Sequence, residues 1–169
     1  KVVQTLTFHR GSYLIEASFE VTNATGAPQS PYAYFQLTRD TKQAVPQNSM
    51  APAAYVGPVI YNSKDHFKKV EPGELDKLAA DPQRKLPYTK DATDGWAGML
   101  EHYFVAAWLP SDEKKLPREF YARKLDNGLY ADGVIVPMAS IAPGASASLT
   151  VPLYVGPQDQ EQLKKLAAG

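Results

Sequence analysis

Apolar and polar residues alternate through YLIEASFEVTN, residues 13–23, and few folds can accommodate this pattern. The apolar side chains recur at every second position: Tyr13, Ile15, Ala17, Phe19 and Val21. Because successive side chains of a β-strand point to opposite faces, a period of two indicates a strand with one buried face. The preceding stretch, VVQTLTFHR, alternates in a similar way, and a Gly-Ser pair separates the two stretches. Together they predict a β-hairpin.

Frequent turn residues argue against long helices in the rest of the chain. The 169 residues include 14 Pro and 11 Gly, which interrupt regular structure at short intervals. The stretch PYAYFQLTRD predicts a third strand with Tyr32 and Tyr34 on one face. Residues 117–157 predict several further strands around turns, whereas GELDKLAAD, residues 73–81, can form one or two helical turns. We therefore expect an all-β, antiparallel sandwich over residues 1–156.

The C-terminal stretch PQDQEQLKKLAAG, residues 157–169, has the strongest helix signals in the chain. Pro157 suits a first-turn position, and acidic residues come early and lysines late, as the helix dipole favours. Leu163 and Leu166 lie on one apolar stripe. We expect a short C-terminal α-helix, and we take Pro157, Leu163 and Leu166 as candidate residues of a partner-binding or coupling element.

The stretch GWAGMLEHYFVAAWLP, residues 95–110, is ambiguous by pattern alone. Its large apolar residues follow the i, i+3, i+4, i+7 spacing of an amphipathic helix. Gly95 and Gly98 are poor helix residues, however, and YFVAAWLP suits a buried strand equally well. Glu101 and His102 stand side by side within it, and such a pair can carry out acid–base chemistry when both side chains meet in one pocket.

Composition excludes several classes of protein. The 18 basic and 18 acidic residues balance, so no net field attracts nucleic acid. Cysteine is absent, which removes thiol catalysis, disulfides and thiolate zinc sites. The three histidines, His9, His66 and His102, show no metal-binding spacing. We expect no catalytic residue, no metal site, no cofactor and no nucleic-acid partner.

Three stretches, in this order, carry a resemblance to a known family. FHRGSYLIEASFEVTN is similar to that family's Arg-Gly-x-Tyr motif and the strand after it, which ends in Asn. GWAGMLEHYFVAAWLP is similar to its Gly-Trp, Tyr-Phe and apolar strand ending in Pro, and LYVGPQDQEQLKKL to its Tyr-Val-Gly-Pro strand end before a charged helix. On these motifs the chain resembles the large periplasmic domain of the YidC family of inner-membrane protein insertases. It looks like the C-terminal portion of that domain.

The resemblance implies a fold, a location and a function. The fold would be a β-supersandwich of the galactose-mutarotase type, with residues 95–110 extended and broken near Glu101 and His102. From the apolar run itself we expect Trp96, Trp108, Tyr103 and Phe104 to lie in the core. The function would be that of a non-catalytic periplasmic domain of a Gram-negative inner-membrane insertase or chaperone. The implied partners are Sec translocon accessory subunits, the insertase's own transmembrane domain and substrate polypeptides. The C-terminal helix would then lead toward a membrane span.

A second interpretation comes from the sugar enzymes that share this type of sandwich, and it makes the chain a carbohydrate-binding or aldose-epimerase-like protein. Epimerase chemistry needs a carboxylate and an acid that converge on one pocket, whereas adjacent strand residues such as Glu101 and His102 point to opposite faces. Tyr32 and Tyr34 are candidate aromatics of a groove for a sugar or an extended peptide. The simpler expectation is that Tyr32, Tyr34 and Phe35 pack between the sheets.

Overall fold

The protein is described by a computed structural model over residues 1–40, 55–113 and 115–167. Within these ranges the chain forms eleven β-strands and two short helices. The strands are β1 (Val2–Phe8), β2 (Leu14–Thr22), β3 (Tyr32–Arg39), β4 (Gly57–Asn62), β5 (His66–Lys69), β6 (Asp91–Ala92), β7 (Trp96–Leu100), β8 (Phe104–Trp108), β9 (Arg118–Lys124), β10 (Tyr130–Pro137) and β11 (Ser146–Pro157). The helices are α1 (Pro72–Ala80) and α2 (Gln160–Leu166).

The described strands form two sheets that pack face to face. The larger sheet has seven strands in the order β1-β2-β11-β8-β7-β4-β5, and the smaller has four in the order β3-β10-β9-β6. Neighbouring strands in both sheets are antiparallel. The all-β, antiparallel sandwich with a short C-terminal helix is therefore confirmed.

The predicted N-terminal hairpin forms from β1 and β2. Gly11 in the connecting turn has a φ of 76°, a conformation that glycine adopts without steric cost. On its other side β2 pairs with β11, where Ala17 lies opposite Val151. Both of these residues are almost wholly buried, so the period of two in the sequence does mark the face that meets the core.

The core lies between the sheets and is built around three aromatic rings. Phe35 of β3 contacts Phe19 of β2 and Trp108 of β8, with ring centroids 5.6 Å and 5.1 Å apart. Phe35 thus packs between the sheets, as expected, and both it and Trp108 are buried. Buried side chains from both sheets complete the cluster, among them Ile60, Phe120, Val134, Val136 and Val151. Burial of this apolar surface is the dominant stabilising contribution in a fold of this kind.

Residues 95–110 form the hairpin of β7 and β8, as the family resemblance implied, and the helix-like spacing of the apolar residues is overridden. Gly98 lies so close to Ala107 of β8 that a Cβ would collide with it. Gly95 has a φ of 94° and lies against the backbone of Tyr61, so a side chain is excluded there too. Neighbouring strands can approach this closely only because both positions are glycine. The sheet contacts therefore prevail over the helical spacing of the apolar residues.

The two tryptophans of this hairpin point to opposite faces of the larger sheet. Ala97, not Trp96, lies opposite Trp108, so Trp96 must point away from the core. Trp96 stacks on Tyr61, with ring centroids 6.0 Å apart, and is only half-buried. The expectation of core positions is correct for Trp108 and wrong for Trp96, and it is also wrong for Tyr103 and Phe104, which are both exposed.

The C-terminal helix begins later than the sequence predicts. Pro157 is the last residue of β11, where it lies opposite Phe104 of β8, so its assignment to the first helical turn is wrong. Asp159 is the N-cap of α2, and its side chain accepts hydrogen bonds from the backbone N–H groups of Glu161 and Gln162. A carboxylate at the N-cap satisfies the free N–H groups that open a helix, which Pro157 cannot do.

The larger sheet extends past the smaller one at its β1 edge. Every residue of β1 is exposed, including the apolar Leu6 and Phe8. Leu6 lies opposite Ala17, on the face that elsewhere forms the core. An open edge with exposed apolar side chains can pair with another polypeptide strand.

Replacing Trp108 by Ala is expected to lower the free energy of unfolding by about 3–5 kcal/mol, because it leaves a large cavity in the core. The Nε1 atom of Trp108 has no hydrogen-bond partner among the described residues, so Trp108→Phe should cost clearly less. Trp96→Ala should cost about 1 kcal/mol, because its ring is half-buried. Urea unfolding followed by circular dichroism measures all three, and equal losses for the two alanine variants would contradict this assignment.

Candidate functional site

The helix α2 lies on the outer face of the larger sheet, on the side away from the core. Leu163 and Leu166 pack against Val105, Ala107 and Tyr154, which are buried beneath them. Both leucines are half-buried, whereas the other residues of α2 are exposed. A cavity of about 160 Å³ remains between the helix and the sheet. The apolar stripe predicted from the sequence is therefore the face of the helix that contacts the sandwich.

Hydrogen bonds fix the segment that connects β11 to α2. The hydroxyl of Tyr154 donates to the carbonyl oxygen of Pro157 at 2.8 Å. The side-chain amide of Gln158 donates to the carbonyl oxygen of Phe104 at 3.2 Å and to that of Glu101. The start of the helix is thereby tied to the turn between β7 and β8.

Glu101 and His102 lie in that turn, where the chain reaches the surface, as the sequence predicts. The Glu101 carboxylate forms an ion pair with Arg39 of β3, with Oε1 and Nη1 2.6 Å apart. His102 is exposed and contacts the ring of Tyr103 edge-on, with ring centroids 4.0 Å apart. The two side chains therefore have separate partners, and they do not make an acid–base pair. Sequence reasoning missed Arg39 because it comes from the opposite sheet.

The other two histidines are on the surface as well. His9 lies 3.5 Å from a carboxylate oxygen of Glu16, and both side chains are exposed. His66 is exposed at the start of β5 with a φ of 55°. In residues 1–40, 55–113 and 115–167, no cluster of three or more His, Asp or Glu side chains is arranged to hold a metal ion.

Tyr32 and Tyr34 lie on the outer face of the smaller sheet, where they are 70% and 64% exposed. The expectation that they pack between the sheets is wrong, because alternation along β3 turns Phe35 inward and both tyrosines outward. Together with Tyr121 and Arg123 of β9 they line a shallow groove of about 380 Å³. We call these four residues the tyrosine surface.

Tyr121 is the fixed part of the tyrosine surface. Its hydroxyl donates a hydrogen bond to Oε1 of Gln36 at 3.1 Å, and the guanidinium of Arg123 lies over its ring, 5.4 Å from the centroid. Burial raises the pKa of Tyr121 to about 12, so the phenol stays neutral and remains a hydrogen-bond donor. Sequence reasoning missed Tyr121 and Arg123, because β9 reaches this surface only through its pairing with β10.

The fold and its surfaces define an antiparallel β-sandwich domain with a C-terminal helix docked on one outer face. No helix in the described part of the chain is both long and apolar enough to cross a lipid bilayer. The family model for the YidC periplasmic domain matches residues 1–169, which is the whole chain. The chain therefore belongs to the YidC periplasmic domain family, as the three motifs indicated, and it is a periplasmic domain.

Curated relatives match over the full length of the chain. The membrane protein insertase YidC of Nitrosospira multiformis is 47% identical over 169 residues, and that of Aromatoleum aromaticum is 42% identical over 169 residues. The chain spans 28% and 29% of the length of these two relatives. Among solved structures, a putative aldose 1-epimerase from Klebsiella pneumoniae has a TM-score of 0.41 and 13% identity, with 98% of this chain and 48% of that chain covered. A likeness this distant says nothing about activity.

Glu101→Ala is expected to lower the free energy of unfolding by about 1 kcal/mol, because it removes a partly exposed ion pair with Arg39. His102→Ala should change it by less than about 0.5 kcal/mol, as is usual for surface positions. A double-mutant cycle with Arg39→Ala isolates the pair in urea unfolding experiments. A coupling energy of zero, or a larger loss for the histidine variant, would show that this turn is held in another way.

Proposed function

We propose that this domain is the non-catalytic periplasmic part of a membrane protein insertase, and that it assists the insertion of membrane proteins as a chaperone. In this proposal residues 1–156 belong to the sandwich, and residues 157–169, which begin with the last residue of β11, lead from it toward a membrane span. The family supports this proposal, since the matching relatives carry the name membrane protein insertase. A non-catalytic role fits the separate partners of Glu101 and His102.

The docking of α2 on the larger sheet is the observation that carries the proposal. The helix has seven residues, and an isolated helix needs about 12–15 residues to be stable in water. Its contacts through Leu163 and Leu166 therefore hold it in place. A helix fixed in this way sets the direction in which the following chain leaves the sandwich, and so couples the domain to the insertase's transmembrane domain.

Replacing both Leu163 and Leu166 by Asp is expected to release α2 while the sandwich stays folded, because the core between the sheets does not include these leucines. Cells that depend on the full-length insertase with this double substitution should lose most of its activity in a complementation assay. Thermal unfolding of the isolated domain should show only a modest decrease in Tm.

A matched control places the same two carboxylates on the exposed side of the helix, as Gln160→Asp with Gln162→Asp. This control should complement normally. If the leucine variant also complements normally at wild-type protein levels, α2 is a spacer and the coupling role is wrong.

We further propose that the tyrosine surface contacts substrate polypeptides. Tyr32 and Tyr34 offer exposed rings beside hydrogen-bonding groups, a combination suited to extended peptides of varied sequence. The family resemblance also supports contact between the domain and Sec translocon accessory subunits. These contacts would hold the domain close to chains that are entering the membrane.

A photoreactive amino acid at position 34 is expected to cross-link to membrane proteins during their insertion in cells. The same group at Ser148, which is exposed on β11 of the larger sheet, is the control and should give several-fold less product. Tyr32→Ala should reduce cross-linking from position 34, because it removes half of the exposed aromatic area. Equal cross-linking from both positions would contradict a role for this surface.

A further inference from the structure

Asp132 is a carboxyl group in the buried interior of the sandwich. It lies on β10, an inner strand of the smaller sheet, between Leu37 of β3 and Ala122 of β9. Its exposed fraction is 0%, and the backbone N–H of Gly98 in the larger sheet lies close to it. Aspartate is rarely buried completely unless it is paired, so this position needs a physical explanation.

Neither carboxyl oxygen of Asp132 makes a well-formed hydrogen bond among the described residues, and only the backbone N–H groups of Asp132 and Gly98 lie close enough to interact with it. An ionised carboxylate in such a place would lose its hydration with little compensation, and a buried acid usually becomes neutral instead. Burial raises the pKa of Asp132 well above its ordinary value, and the N–H groups of Asp132 and Gly98 lower it by a smaller amount.

The described cations around this position have other partners. Leu37 of β3 and Ala122 of β9 lie opposite Asp132. Arg39 and Lys124 each come two residues later on the same two strands. Arg39 pairs with Glu101, and Lys124 pairs with Asp76. On the opposite sheet, neither β7 nor β8 contains a charged residue. No described positive charge therefore compensates the carboxylate.

The other titratable groups that interact with Asp132 are tyrosines. Burial raises the pKa of Tyr55, Tyr88 and Tyr121, and an ionised Asp132 would raise each of them further. All three are neutral phenols near neutral pH, and Tyr88 already accepts a hydrogen bond from the N–H of Ala122 at 2.8 Å. On β10 itself, the Tyr130 hydroxyl donates to Asp76. Among the described groups, burial thus favours the uncharged form of Asp132, and only the two backbone N–H groups oppose it.

We propose that Asp132 carries a proton in the folded domain and makes the packing of the two sheets sensitive to pH. The neutral acid suits the buried space near Gly98, whereas the carboxylate would lose its hydration there. Ionisation therefore favours arrangements in which β10 moves away from β7 and the carboxylate reaches water. The sandwich is tightest in acid and loosens as the pH rises.

The direction of the effect follows from proton binding. An aspartate in the unfolded chain ionises near pH 3.9, whereas Asp132 in the folded domain keeps its proton to higher pH. Between these two pKa values the folded state holds more protons, so each unit of rising pH lowers the folding equilibrium constant by up to about tenfold. Below about pH 3.9 both states are protonated and the stabilisation is complete, and above the folded pKa the loss stops.

Urea unfolding of the wild-type domain and of Asp132→Asn, from about pH 4 upward, tests this proposal. Asparagine has nearly the same shape and no proton to lose, so its stability relative to wild type should grow with pH by up to about tenfold in the folding constant per unit and then level off. Asp126→Asn, at an exposed position in the turn before β10, is the matched control and should follow the wild-type curve. Parallel curves for wild type and Asp132→Asn would overturn the proposal.

Infrared spectroscopy of the wild-type domain gives a second readout that does not depend on a variant. With isotope-labelled aspartate, a protonated carboxylic acid band should persist above the pH at which exposed aspartates have ionised, and it should disappear when the pH is raised through the folded pKa. Absence of such a persisting band would overturn the proposal even if Asp132→Asn fails to fold. The band should also be missing from any folded Asp132→Asn sample and present in Asp126→Asn.

Discussion

The contact of Phe35 with Phe19 and Trp108 joins the two sheets, and the rest of the sandwich is arranged around it. One ring comes from the smaller sheet and two from the larger, so neither sheet can bury its aromatic face alone. Because Trp108 turns inward, its neighbour Ala107 turns outward, into the cluster that receives α2. The geometry of the core thus also determines which side of the sheet is available to the helix.

Local patterns in the sequence correctly predicted those features that depend on a single strand or hairpin and not on contacts with distant parts of the chain. The period of two gave the N-terminal hairpin and the two faces of β3 correctly, since alternation is a property of a single strand. The same reasoning could not decide between strand and helix for residues 95–110, because Gly98 is required by the closeness of Ala106 and Ala107 on the neighbouring strand. Pro157 was misplaced for a similar reason, since only its pairing opposite Phe104 keeps it extended.

The surface features also divide into those that local sequence predicts and those that depend on distant strands. The Leu163 and Leu166 stripe is readable from spacing, and the helix docks through it. The ion pair of Arg39 with Glu101 and the place of Asp132 depend on how distant strands come together, and no local signal marks them. Exposed aromatic residues such as Tyr34 are the hardest to anticipate, because hydrophobic side chains are assigned to the core by default.

The position of β11 has a consequence for the order in which the domain can assemble. This strand is near the end of the chain, yet it lies inside the larger sheet and separates β2 from β8. A two-stranded hairpin is marginally stable alone in water, so β1 and β2 must wait for residues more than a hundred positions later before they are secured. Folding that depends on such non-local pairing is slow, because the entropy of loop closure is lost before the non-local contacts stabilise the fold. The larger sheet therefore cannot be completed until β11 has inserted between β2 and β8.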